Sequence, residues 1–190
     1  METTPGSKIL SDKDFRFLAD LGLLWVCDQQ SRFSRISREF LSDEKLSLEG
    51  FFSPETLALV RVAEVFQIEN PPYLSDWRSR GLPDFVDFRQ MAGIAFVDTI
   101  VTARRFYSNR TSWISLVFHE LVHVVQYQLL TTEEMVRQYL RGWADNDFDY
   151  HKIPIEVQAY NLQREFDRKA TVFSVEDRIR QAINVQSDRK

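Results

Sequence analysis

Two histidines four residues apart bracket a glutamate in the run His119-Glu120-Leu121-Val122-His123. On a helix, residues i and i+4 share a face, so both imidazoles project to one side and can ligate one metal ion. Glu120 lies about 100° further round the helix. From there it can reach a water polarised by that ion without taking a coordination position. Zinc lowers the pKa of such a water toward about 7, and a neighbouring carboxylate can take its proton. This is the chemistry of the H-E-x-x-H metallopeptidase pattern. A bland alternative makes the two imidazoles ordinary helix residues with unrelated hydrogen bonds. Against it stands the setting: Trp113 to Tyr127 is apolar almost all round. Burying two imidazoles and a carboxylate in such a helix is costly unless they share a partner.

A catalytic zinc takes three protein ligands and keeps a fourth position open. The motif does not continue as in the metzincins, because Gln126 stands where their glycine would be and Leu129 where their third histidine would be. The third ligand must come from elsewhere. Glu156, 33 residues after His123, falls in the first turn of a helix that Pro154 starts. Ala159 at i+3 is small enough to let two helices approach, and Tyr160 at i+4 shares the face of Glu156. His151 is the alternative ligand, since a neutral imidazole binds zinc as well as a carboxylate does. Glu156 is preferred because a helix holds a ligand more rigidly than an acidic loop. His151 or Tyr160 can instead donate a hydrogen bond to the oxyanion of a tetrahedral intermediate. Tyr150 and Tyr107 are further candidates for that task.

His119-Glu120-x-x-His123 followed by Glu156-x-x-Ala159 resembles the gluzincin zinc metallopeptidases. Strand, motif helix, insert and glutamate helix together resemble their small single-domain, minigluzincin-like versions over residues 93–166, with the first ninety residues unmatched. The resemblance implies a zincin-like fold with His119, His123 and Glu156 as Zn2+ ligands and Glu120 as general base. It also implies that the strand at Gly93 is an edge along which an extended peptide or protein substrate is laid. Many gluzincins carry an aspartate four residues after the glutamate, bonded to a ligand histidine; Tyr160 stands there instead. A second reading keeps the same fold as a non-catalytic zinc-binding or protein-interaction module.

These residues need a scaffold, and 190 residues suffice for one domain, 1–190, with frayed tails at 1–10 and 186–190. The expected class is α+β: a small mixed sheet of three or four strands packed on several helices, with the motif helix central and buried. Asp12 to about Gln30 reads as a helix that Gly22 interrupts. Ser31 to Ser53 carries no clear pattern. Ser53-Pro54-Glu55 starts a helix, yet Leu59 to Val65 is rich in β-branched residues and reads equally as a strand. Asn70-Pro71-Pro72 ends that element, and Gly81-Leu82-Pro83-Asp84 is a turn signal. Gly93 to Thr102 reads as one continuous strand. Arg104 to Arg110 is a polar loop, either solvated or placed to bind a substrate carboxylate. Thr111 or Ser112 caps the motif helix, and Ser115 reads as a cap residue too. Thr131 to Glu134 is a capping box, with Gly142 stopping its helix. A helix from Ile155 to about Lys169 follows, and Ser174 caps a last amphipathic one.

Asp145-Asn146-Asp147-Phe148-Asp149 imitates a calcium loop, but Tyr150 and Pro154 occupy positions that forbid its turn, so it reads as a solvated acidic loop. Cys27 is alone and reads as a buried small apolar residue; Trp25, Trp77, Trp113 and Trp143 read as core or groove lining. A net charge of −4 argues against nucleic-acid binding. No signal-like start and no apolar run of membrane-spanning length is present, so the expectation is a cytoplasmic protein with no membrane partner.

Overall fold

Ser11 opens the first helix, its hydroxyl accepting from the backbone N–H of Asp14 at 3.2 Å. The computed structural model describes residues 10–74, 77, 86–168 and 171–187. The helix, α1 (Asp12–Ser34), runs unbroken through Gly22. The segment without a sequence pattern holds α2 (Ser42–Leu48) and two isolated bridges, Arg38 to Val62 and Glu49 to Phe52. The two readings of residues 53–65 are both realised in series. Ser53 caps α3 (Pro54–Leu59), and Val60 turns the chain into strand β1 (Arg61–Val65). The turn expected at Gly81 to Asp84 lies outside the described residues.

The expected single strand over Gly93 to Thr102 is instead a hairpin, β2 (Gly93–Phe96) and β3 (Thr99–Ala103), paired antiparallel. Val97 adopts φ 62°, a left-handed conformation that a β-branched residue rarely takes. Asp98 holds the corner from three sides. Its side chain accepts from Gln30 Nε2 at 2.9 Å and Thr99 Oγ1 at 3.0 Å, and its carbonyl accepts from Arg61 N at 3.0 Å. β1 joins β3 in parallel, giving a three-stranded mixed sheet in the order β1-β3-β2. β2 is therefore an edge strand, and every residue of β3 is buried.

The motif helix α4 (Arg110–Leu129) starts earlier than expected. Asn109 is its cap, accepting from Ser112 N at 2.9 Å, while Ser112 supplies the return contact. Ser115 is no cap; it donates to Asp167 at 3.0 Å. Thr131 caps α5 (Thr132–Asp145) through Glu134 N at 3.1 Å. Gly142 does not stop this helix. A Cβ there would lie 2.6 Å from Cδ of Pro154, so glycine is what lets α5 meet the first turn of α6 (Pro154–Asp167). The last helix, α7 (Val175–Ser187), returns against α3. Its Glu176 accepts from Ser53 N at 2.9 Å and Thr56 Oγ1 at 3.0 Å.

Among the described residues the architecture is α+β, seven α-helices around one small mixed sheet. α4 divides two apolar regions. One gathers Phe118, Leu121, Val125, Ala159 and Ile179 with Phe51, Phe166 and Phe173. The other gathers Leu18, Val26, Phe96, Met135 and Trp143 from α1, the sheet and α5. Trp77, Trp113 and Trp143 are buried, while Cys27 is exposed, on the outer face of α1. No helix among the described residues is long and apolar enough to cross a membrane.

Candidate metal centre

The centre is built by two helices. α4 presents His119, Glu120 and His123, all buried, where its surroundings would otherwise be apolar. α6 presents Glu156 at the third position of the helix that Pro154 begins, and the close contact at Gly142 fixes how that turn sits. Ala159, fully buried one turn on, keeps the two helices close.

Three donor atoms converge. His119 Nε2 and His123 Nε2 are 3.2 Å apart. Glu156 Oε2 lies 3.5 Å from the first and 3.4 Å from the second. Among the described residues, this buried His–His–Glu group is the one set of three or more ligating side chains that could hold a metal ion. The carboxylates of the Asp145–Asp149 loop do not join it. Asp149 instead caps the turn at His151 and pairs with Lys152 at 3.2 Å.

The far nitrogens of both imidazoles are held by carboxamides. His123 Nδ1 faces Gln126 Oε1 at 2.8 Å, and His119 Nδ1 faces Gln163 Oε1 at 3.1 Å. Each glutamine is oriented in turn through its NH2 group. Gln126 donates to the Ile155 carbonyl at 3.1 Å and to Gln158 at 2.9 Å. Gln163 donates to the Ser115 carbonyl at 3.1 Å and Ser115 Oγ at 3.0 Å. A carboxamide oxygen can only accept, so in the neutral form of each imidazole Nδ1 carries the proton, which leaves the Nε2 lone pair to a metal ligated there. Glu156 is steadied by Tyr150, whose hydroxyl donates to Oε2 at 2.8 Å.

The electrostatics follow from burial and proximity. Burial works against the carboxylate of Glu156, but the two imidazoles outweigh it and hold its pKa below the usual range. Burial also disfavours charge on His123, yet Glu156 and Glu120 push it up to about 9. Glu120 is raised, chiefly by desolvation, with His119 and His123 opposing. Its carboxylate lies under the start of β2: a Cβ on Gly93 would come within 2.6 Å of Glu120 Oε1. A wide cleft of about 760 Å3 opens over His119 and Glu120, bordered by Gly93, Tyr150, His151 and Tyr160.

The other candidates are distributed as follows. Tyr160 is exposed and packs its ring on His119, centroids 4.5 Å apart. The hydrogen bond to His119 that its position suggested comes from Gln163, one turn further along α6. His151 is exposed at the cleft rim, its ring 6.3 Å from that of Tyr160 and outside the donor triangle. Tyr107 belongs to a separate surface pocket, bonded to Glu64 and Thr102. The arginines near the motif helix are engaged away from the centre, Arg104 with Glu64 at 2.8 Å and Arg110 with Asp43 at 2.6 Å. Gln126 and Gln163 were missed from sequence. The available signal was a carboxamide three residues from His123 and another one turn beyond Tyr160.

The chain matches no protein-family model, no curated protein and no solved structure.

Proposed function

We propose that this protein is a zinc-dependent peptidase of the gluzincin type, built on a zincin-like fold. His119, His123 and Glu156 are the ligands and Glu120 the general base. The observation that carries the reading is the donor triangle, with edges of 3.2, 3.4 and 3.5 Å. Ligand atoms at zinc bond lengths in a tetrahedral site sit about 3.3 Å apart. The donor set of two imidazole nitrogens and one carboxylate oxygen is one that zinc accepts, and the carboxamide-held tautomers aim both lone pairs at its centre. The residues fit the ion.

When bound, zinc supplies Lewis acidity that polarises the scissile carbonyl and lowers the pKa of water. Glu120 takes the proton from the attacking water and delivers it to the leaving amine. Tyr160 and His151, which border the same cleft, are the candidate donors to the developing oxyanion. β2 is a sheet edge beside the cleft, which supports laying an extended peptide along it. A purely structural site would need a fourth protein ligand. The one histidine available for that, His151, stays at the exposed rim, and this favours the catalytic reading.

The test is metal stoichiometry by elemental analysis on untagged protein. About one zinc per chain is expected. It should be lost with His123→Ala and Glu156→Ala but kept with His151→Ala. Glu120→Gln should keep the metal and lose hydrolysis; retained hydrolysis would remove Glu120 from its role. A wild-type chain that takes up no metal when zinc is supplied sinks the peptidase reading.

A further inference from the structure

The segment that joins α5 to α6 is held in an unusual backbone shape. Asp147 and Phe148 follow one another with φ 56° and 62°. Aspartate visits that left-handed region with local help, but a bulky phenylalanine is an outlier there. Such a shape persists only where its surroundings over-determine it, and here they do. Asn146 Nδ2 donates to the Gly142 carbonyl at 2.7 Å, and Phe148 N donates to the Trp143 carbonyl at 2.9 Å. The Phe148 ring meets Trp143 edge-on, with centroids 4.7 Å apart. Asp149 then caps a single 3-10 turn, Tyr150–Lys152, its side chain accepting from His151 N at 3.0 Å. The stretch that imitates a calcium loop is thus locked onto the end of α5, and it delivers Tyr150 to the candidate centre.

The Tyr150 hydroxyl donates to Glu156 Oε2 at 2.8 Å. This is the same oxygen that lies 3.5 and 3.4 Å from the two imidazole nitrogens. Among the described residues, Tyr150 and the two imidazoles are the side chains that meet this carboxylate. The last torsion of a glutamate is broad, so a carboxylate held by an ion alone is free to turn and chelate it with both oxygens. A hydroxyl on Oε2 opposes that turn, because one lone pair of the oxygen serves the tyrosine and another serves the centre.

We propose that Tyr150 is a positioning residue that keeps Glu156 a one-oxygen ligand and thereby keeps the fourth position of the ion open. The proposal rests on the metal-site part of the functional reading and not on peptide hydrolysis. It also assigns the Tyr150 hydroxyl to the ligand rather than to the oxyanion. The acidic loop, which carries no ligand itself, then governs how the ligand on the next helix binds.

The experiment uses the full-length protein, stripped of metal and loaded with cobalt(II), whose visible absorption is intense in four-coordinate sites and weak in five-coordinate ones. Wild type should show the intense band. Tyr150→Phe should lose most of it while binding cobalt within about threefold of wild type, since the second oxygen replaces the lost support. A tyrosine that merely braces the site would instead cost about 10- to 100-fold in metal affinity. An unchanged band in Tyr150→Phe, or an affinity lowered about tenfold or more, overturns the proposal. X-ray absorption at the cobalt edge of wild type gives a check that needs no variant to fold: Glu156 bound through one oxygen supports the proposal, and through both overturns it. A wild-type chain that takes up no cobalt removes the metal centre and the proposal with it. Loss of the band in Tyr150→Phe, alongside a wild-type chain that cleaves no peptide, supports the proposal and overturns only the peptidase reading.

Discussion

The two apolar regions that flank α4 are built to different standards. On the α6–α7 side, Phe118 stacks on Phe166 with centroids 4.2 Å apart and meets Phe51, Phe52 and Phe173 edge-on at 5.0 to 6.3 Å. That side is filled. On the α1–α5 side, an equally aromatic set encloses a cavity beside Glu120 and leaves the Tyr139 hydroxyl unbonded. Interiors are normally close-packed, and a cavity forfeits contacts that filling it would regain. Packing is dense where α4 meets α6 and α7, and a space is left where Glu120 faces α1 and α5.

Truncation should expose the difference most strongly. Phe118→Ala removes the hub of the filled side and should cost about 3–5 kcal/mol in denaturant unfolding, with zinc content falling as α4 loosens. Gly142→Ala places a methyl 2.6 Å from Pro154; separating α5 from α6 should cost about 1–3 kcal/mol. Because Glu156 sits on the displaced turn, zinc affinity should drop with it, as competition with a chelator would read. Gln126→Leu should lower zinc affinity about 10- to 100-fold while leaving the helices in place, since the carboxamide that orients His123 is gone. On the cavity side the sign reverses. Met135→Phe should raise unfolding stability by about 1 kcal/mol, and a loss there as large as that of Phe118→Ala would mean both sides are equally packed. The smallest effect belongs to the exposed Arg32–Glu69 pair, where Glu69→Gln should change stability by less than about 1 kcal/mol.

What could be read from the residues follows the same division. His119, Glu120 and His123 were legible because helical periodicity turns spacing into geometry, and Glu156 because Pro154 marks a helix start two residues before it. The hairpin at Val97 was not legible. Its corner has no glycine, and Val97 is held in a left-handed conformation by tertiary partners of Asp98, one of them Gln30 on α1. Gly142 misled for a related reason. A glycine near a helix end usually stops it, whereas here it is a contact surface for a proline twelve residues on. Cys27 was misplaced because apolar neighbours on α1 do not say which way one residue of the helix faces. The cavity could not be foreseen at all, since its walls come together only when α1, the hairpin and α5 are assembled.

The order in which those pieces assemble is itself set by the topology. β2, β3 and α4 are contiguous in the chain, so their contacts close short loops. Parallel pairing of Arg61 with Thr99 closes a long one, and Glu156 reaches the histidines only after α5 has turned back on α4. Two of the three donors thus lie together on one helix, and the third joins them only through a contact distant in sequence. A metal ion that needs all three should leave the refolding rate nearly unchanged and slow unfolding instead, making the bound ion a latch on the finished molecule rather than a seed for building it.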